Sequence, residues 1–219
     1  MNFIIVEMMQ NTFKKTIHLE LTTKCRLECP KCDRTISFKK GSLVNTDMPF
    51  ELVEKYASNN EYSKFTLCGS FGDPIYHPKF LDIIKTFKDN NKTVDIFTNS
   101  SGKKIEWWHE LFSVLDPNDK IWFGIDGLED TCGMYRVNFT ENDFHFAMNL
   151  MKIAKHEYGL NPVWIFIAFK FNEHQVEEAK IRAKEMNISF CLRKSARWDS
   201  KDDILKPTNK NLISIKSIV

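Results

Sequence analysis

The chain contains no run approaching the roughly 20 apolar residues that a membrane span requires. It also has no Pro-, Gly- or Ser-rich stretch to mark a linker, holding only 8 glycines and 7 prolines in 219 residues. No internal repeat or low-complexity block interrupts it. Neither sign of charge dominates, since 31 Lys and Arg face 29 Asp and Glu. A formal charge of +2 argues against a general attraction to nucleic acid, which is not indicated as a partner. The segment Met1–Lys15 has an apolar patch but neither a preceding basic region nor a small-residue cleavage site, so it does not read as a signal peptide. These absences predict a cytoplasmic protein with no membrane contact.

With 42% hydrophobic and 27% charged residues, the composition supports one packed domain with short appendages. Short β-rich runs alternate with longer amphipathic segments. The runs are Ile17–Thr22, Lys64–Gly69, Thr93–Asn99, Lys120–Asp126, Val163–Phe169 and Ile188–Leu192. Helices are expected over Pro49–Ser58, Pro78–Asn90, Lys104–Val114, Glu141–Glu157 and Glu173–Met186. In the second of these, Phe80, Ile83, Ile84 and Phe87 form one apolar stripe. Asp47 is the expected N-cap of the first, and Val176, Ala179, Ile181 and Ala183 the apolar set of the last. Strand–loop–helix repeated six times predicts parallel strands joined by right-handed crossovers. A partial α/β barrel and a doubly wound sheet both satisfy that pattern. In either, chemistry belongs at the C-terminal ends of the strands.

Cysteine is sparse and unevenly placed, at 25, 29, 32, 68, 132 and 191. A reduced set of thiols fits this size and spacing better than a disulfide scaffold. Cys25, Cys29 and Cys32 follow directly on the first predicted strand with C-x3-C-x2-C spacing and no fourth Cys or His nearby. Structural zinc sites and ferredoxin-type clusters both use four protein ligands. Three thiolates in one loop leave one iron of a cluster open to a ligand other than protein. Three structural cysteines, or a zinc site completed from afar by Cys68 or a histidine, are the alternatives.

This loop resembles that of the radical S-adenosylmethionine (SAM) superfamily. The resemblance implies a partial (β/α)6 TIM-type barrel and a [4Fe–4S] cluster on Cys25, Cys29 and Cys32, with SAM chelating the fourth iron. It also implies reductive cleavage of SAM to a 5′-deoxyadenosyl radical that abstracts hydrogen from a substrate. Further matches follow in order. Gly69-Ser70-Phe71-Gly72-Asp73-Pro74 is similar to the family's GGEP turn, with Phe71 and Asp73 departing from it. Phe97-Thr98-Asn99-Ser100-Ser101-Gly102 resembles the T-N-G turn, and Ile125-Asp126-Gly127 the end of the S-I-D-G strand, with Gly124 at the small-residue position. Glu129–Arg136 and Phe169–His174 are closest to the SPASM-type, peptide-maturase-like branch. The implied SAM contacts are Gly69, Ser70, Gly72, Asp73, Pro74, Asn99, Ser100, Asp126, Lys170 and Arg193, with Asn172 an alternative to Lys170 and His174 placed in a first helical turn. Arg136 is either a carboxylate clamp or a helix-surface arginine. Lys31 stands where the family often has an aromatic residue near the adenine.

The resemblance covers residues 16–195, expected as the core domain, between an N-terminal extension (1–15) and a C-terminal tail or edge segment (196–219). Within the tail, Leu212–Val219 alternates like an edge strand or docking segment. Only Cys191 lies beyond residue 132, so an auxiliary cluster is not expected. Cys68, Cys132 and Cys191 read as small buried residues or lone thiols, with Cys132 the best placed of the three to face substrate. Trp107 and Trp108 read as packing residues. The expected partners are a peptide or small polar metabolite as substrate and an acidic reductant such as flavodoxin or ferredoxin, met by paired lysines at 14–15, 39–40 and 103–104. No catalytic side chain is singled out, and a non-catalytic Fe–S or zinc module is the alternative function.

Overall fold

A computed structural model describes residues 5–8, 15–195, 197–200 and 202–213. Seven strands form one sheet in chain order: β1 (Ile5–Met8), β2 (Lys15–Leu19), β3 (Tyr62–Leu67), β4 (Thr93–Thr98), β5 (Lys120–Gly124), β6 (Asn161–Ile167) and β7 (Ser189–Arg193). β2 to β7 are parallel, and β1 pairs antiparallel with β2. Parallel strands in strictly sequential order place every right-handed crossover on the same face. A doubly wound sheet reverses its order at a switch point; this one does not. The architecture is the partial (β/α)6 TIM-type barrel, with an extra strand at one edge.

Among the described residues there are seven α-helices: α1 (Asp33–Lys39), α2 (Phe50–Ala57), α3 (Phe80–Asp89), α4 (Ile105–Val114), α5 (Cys132–Tyr135), α6 (Glu141–His156) and α7 (Val176–Glu185). Strand residues alternate between two faces. Ile17 and Leu19, Phe65 and Leu67, Val94 and Ile96, and Ile121 and Phe123 are buried in the core. All four stripe residues of α3 are buried, and Phe87 stacks on Phe65 with ring centroids 4.3 Å apart. Trp108 is fully buried in the same layer. The opposite faces of the strands carry Thr66, Phe97, Trp122 and Arg193, and this side of the sheet holds the chemistry. Among the described residues, no helix is long and apolar enough to cross a membrane.

Several expectations need correction. Asp47 does not cap α2, whose N-cap is Pro49; its carboxylate instead accepts from Thr22 Oγ1 at 2.6 Å and Lys24 Nζ at 2.5 Å. The helix expected over Glu173–Met186 opens as a 3-10 turn, Glu173–Gln175, before α7. Val176, Ala179 and Ala183 follow i, i+3, i+7 and are buried, whereas Ile181 falls off that stripe and is exposed. β1, α1 and α5 were not anticipated. Lys14 and residues 214–219 of the expected edge segment lie outside the described residues; Ile213 forms a parallel bridge with Ser195.

Candidate functional site at the strand ends

The cysteine loop leaves the C-terminal end of β2 and is pinned before it reaches its first thiol. Thr23 Oγ1 donates to the Val44 carbonyl at 2.8 Å, and Arg34 Nε, itself buried, donates to the Thr23 carbonyl at 2.7 Å. Inside the loop, the Leu27 N–H points at Cys25 Sγ at 3.4 Å. The Cys32 N–H donates to the Cys29 carbonyl, and the Cys32 carbonyl accepts from Ile36 N, which makes Cys32 the N-cap residue of α1. The triad is therefore shaped by backbone hydrogen bonds on both sides.

The turn after β3 packs directly against this loop. A Cβ on Gly72 would lie 2.0 Å from the Thr22 carbonyl oxygen, and one on Gly69 would lie 1.6 Å from the Gly72 carbonyl oxygen. Only glycine permits so close a backbone approach. Glu20, at the end of β2, holds the turn by accepting from Ser70 N at 2.7 Å and Phe71 N at 3.4 Å. The Asp73 N–H donates to the Lys24 carbonyl at 2.9 Å. Its buried carboxylate accepts from Asn99 N at 2.7 Å, Thr98 Oγ1 at 3.0 Å and Ile75 N at 3.2 Å. Burial pushes the Asp73 carboxyl up to about 6, against the pull of these donors. The next turn reaches the triad itself, because Asn99 Nδ2 donates to Cys25 Sγ at 3.4 Å. Ser100 holds a left-handed φ of 62° in that turn.

On the other flank, Asp126 is fully buried after β5 and accepts from Arg136 Nε at 2.9 Å and Ile167 N at 2.8 Å. Arg136 is thus not a surface arginine, and its Nε is committed to Asp126. Burial opposes its charge, but the Asp126 carboxylate beside it outweighs that and holds the guanidinium protonated. A Cβ on Gly124 would lie 2.8 Å from Arg136 Nη2, so the missing side chain there makes room for the arginine. Arg193 places its guanidinium 5.1 Å from the Phe97 ring and 5.9 Å from Trp122, and those two rings stack at 5.0 Å. Cation–π attraction of this kind orients the arginine without consuming its donors.

These elements surround one open cleft of about 210 Å³, lined by Cys25, Cys29, Cys32, Arg34, Cys68, Gly69, Gly72, Asp73, Asn99, Gly124, Arg136 and Arg193, among others. Of the sequence-derived SAM contacts, Gly69, Gly72, Asp73, Asn99 and Arg193 face it. Ser70, Pro74 and Ser100 stand beside lining residues in their turns, and Asp126 stands behind Arg136. Lys170 is elsewhere. Asn172 folds the loop after β6 back on itself through Phe169 N and the Ile167 carbonyl. Lys170 then donates its N–H to the Leu205 carbonyl and lines a separate cleft with Asp202 and Asp203. Cys132 is a small buried residue of α5, as expected, with its thiol donating to the Glu129 carbonyl rather than facing the cleft; Cys68 is the additional thiol there.

All six cysteines are free thiols. Burial pushes the Cys25 thiol up to about 12, and the Cys29 and Cys68 thiols up to about 11. Among the described residues, no three His, Cys, Asp or Glu side chains are drawn together tightly enough to hold a single metal ion. Three soft thiol donors spread around one wall of a cleft, with Arg34 and Arg136 beside them, suit an anionic iron–sulfur cluster. Sequence reasoning missed Glu20, Arg34 and the Phe97–Trp122 platform. A glutamate ending an apolar strand was the available signal for the first; the others have no motif.

No protein-family model matches the chain. A tungsten-containing aldehyde ferredoxin oxidoreductase cofactor-modifying protein of Pyrococcus furiosus is 29% identical over 118 residues, which is 52% of this chain and 31% of that protein. Among solved structures, SuiB of Streptococcus suis bound to S-adenosylmethionine aligns over 90% of this chain and 44% of its own, at 14% identity and a TM-score of 0.66. SuiB bound to the precursor peptide SuiA aligns over 80% and 38%, at 16% identity and a TM-score of 0.62. Native anSMEcpe with bound AdoMet aligns over 82% and 54%, at 14% identity and a TM-score of 0.61. The chain has the fold of radical SAM enzymes. It spans 31% of the Pyrococcus furiosus protein, 44% of the SAM-bound SuiB chain and 54% of the anSMEcpe chain. In this radical SAM fold, the turns after β3, β4 and β5 converge on the loop after β2, and the cleft lies between them.

Proposed function

We propose that the chain is a radical SAM enzyme in which Cys25, Cys29 and Cys32 hold one [4Fe–4S] cluster and SAM binds at the iron without a protein thiolate. When bound, the pair supplies one-electron reductive cleavage of SAM, which starts hydrogen abstraction from a substrate. The observation that carries this reading is the meeting of the three free thiols with the turns after β3 and β4 in one cleft, where Asn99 Nδ2 reaches Cys25 Sγ.

Each neighbouring residue then has a physical task. Gly69 and Gly72 keep side chains out of the seam between turn and cysteine loop, leaving backbone carbonyls exposed for an ammonium group. Asp73 braces Asn99, and Asn99 tunes Cys25 through its amide. Arg34 offsets the negative charge that accumulates beside Cys25, while Arg136, already paired with Asp126, spaces that carboxylate from Cys29. Arg193, with no carboxylate partner among the described residues, is positioned to orient a carboxylate of SAM or substrate. The cleft is open, and SuiB, which shares the fold, has been seen with a precursor peptide; both support a peptide or small polar metabolite as substrate. A flavodoxin or ferredoxin is the proposed reductant.

Anaerobic reconstitution tests the reading. The expected protein holds about four irons per chain, bleaches with dithionite, and when reduced converts SAM to 5′-deoxyadenosine. Zinc in place of iron, or a reducible cluster that leaves SAM intact, would refute it.

A further inference from the structure

The C-terminal segment grips the cysteine loop. Lys31, the residue before Cys32, extends its ammonium to Asp203 Oδ2 at 2.8 Å and also meets Asp199. Asp203 is a built anchor, its side chain only 4% exposed. It accepts further from Asp199 N at 2.9 Å and Leu205 N at 3.0 Å. Arg197 adds two contacts to the same loop. Its Nη1 donates to the Lys31 carbonyl at 3.2 Å, and its Nη2 lies 3.4 Å from Asp33 Oδ2. The residues on both sides of Cys32 are therefore held from residues 197–203.

The segment is tied equally firmly at its other end. The Leu205 carbonyl accepts from Lys170 N at 3.0 Å. The Glu173 carboxylate accepts from Thr208 N at 2.9 Å, from Asn209 N at 3.1 Å and from the Thr208 hydroxyl. Trp198 packs edge-on against Phe169. Both Lys170 and Glu173 belong to the loop after β6, near the far edge of the sheet from β2. Residues 197–200 and 202–209 thus span the open side of the partial barrel, from the last strands to the first cysteine-bearing loop.

We propose that this segment is a positioning strap for the cluster, with Asp203 and Lys31 as its clasp. The inference rests on the cluster reading given above. A free loop must order three ligands when it binds iron, and that ordering entropy opposes loading. A strap that holds residues 31–33 in the apo protein removes part of that cost. By linkage, whatever the strap does for the cluster the cluster does for the strap, with couplings of this kind amounting to roughly 5–150-fold. The strap also accounts for Lys31: a residue turned toward Asp203 is unavailable to stack on an adenine, so the departure from the family's aromatic preference has a structural use.

Hydrogen exchange followed by mass spectrometry, on apo and reconstituted full-length protein, tests the strap alongside chelator-driven iron loss. In wild type, reconstitution should slow exchange in residues 197–209 by at least about fivefold. Asp203→Asn and, at the other end of the clasp, Lys31→Met should each speed exchange of residues 26–34 in the apo protein. Both should also release iron to a chelator at least about fivefold faster, with the exchange of β3 to β6 unaltered. Wild-type exchange at 26–34 in both apo variants overturns the strap, whether or not iron binds. Unaltered iron release from loaded variants overturns its coupling to the cluster. A wild-type protein that takes up no iron refutes the cluster reading instead, and the apo exchange then decides the clasp alone.

Discussion

Replacing Cys25, Cys29 and Cys32 together by Ala should abolish the proposed iron uptake and SAM cleavage while leaving the apo fold intact. The thiols line the cleft and are only partly buried against the core. Each replacement removes one sulfur atom, worth roughly 1 kcal/mol or less of burial, and Cys25→Ala also removes the weak sulfur acceptor of the Leu27 N–H and of Asn99 Nδ2. Stability should therefore fall by a small amount, whereas metal binding loses every thiolate donor on that wall. In the apo protein burial holds the Cys25 and Cys29 thiols up to about 12 and about 11, so both are neutral near pH 7. Iron must displace those protons, and loading of the wild type strengthens as pH rises. Iron and sulfide analysis with circular dichroism checks both halves. A triple variant that retains iron, or one that is unfolded before iron is added, contradicts the account.

Asp126→Ala should have the largest effect on stability, a loss of about 3–5 kcal/mol measured by urea unfolding of the apo protein. The carboxylate is fully buried and serves both Arg136 Nε and the Ile167 N–H. Removing it leaves a guanidinium that cannot shed its proton in a site where only 15% of its side chain is exposed, next to an unpaired backbone donor. Asp126→Ala/Arg136→Met should lose less than Asp126→Ala alone, because no unpaired charge remains. Arg136→Met alone adds a pH signature. Burial already pushes the Asp126 carboxyl up, and losing the arginine that pulls it down pushes it further. A carboxyl whose folded value exceeds its unfolded value contributes stability below the unfolded value and loses it as pH rises through the folded one. The variant should thus be relatively more stable in acid than at neutrality. A double variant less stable than Asp126→Ala contradicts the pairing.

The elements readable from sequence were those with a strong period. The α3 stripe and the six parallel strands carry enough apolar repetition to declare themselves, and they fall within a few residues of expectation. β1 is four residues long and α5 is four, too short for any period to show. α1 begins inside a motif whose cysteines read as loop. The N-cap assigned to Asp47 failed because Thr22 and Lys24, distant in sequence, compete for its carboxylate. At the site, residues fixed by backbone geometry were recoverable: Gly69, Gly72 and Asn99 stand on the cleft. Those that depend on where a loop turns were not. Lys170 is carried off by the Asn172 turn, Cys132 is drawn into the core by α5, and Cys68 lines the cleft in its place. Arg136 was ambiguous until Asp126 was seen buried beside it.

The central claim is a three-thiolate cluster whose open iron takes SAM. Electron paramagnetic resonance of the reduced, reconstituted protein, recorded with and without SAM under conditions that prevent turnover, tests it most directly. The account predicts a reduced [4Fe–4S] signal whose g-values shift when SAM is added, and no such signal from the triple alanine variant. A signal indifferent to saturating SAM, or one that persists without Cys25, Cys29 and Cys32, would contradict it.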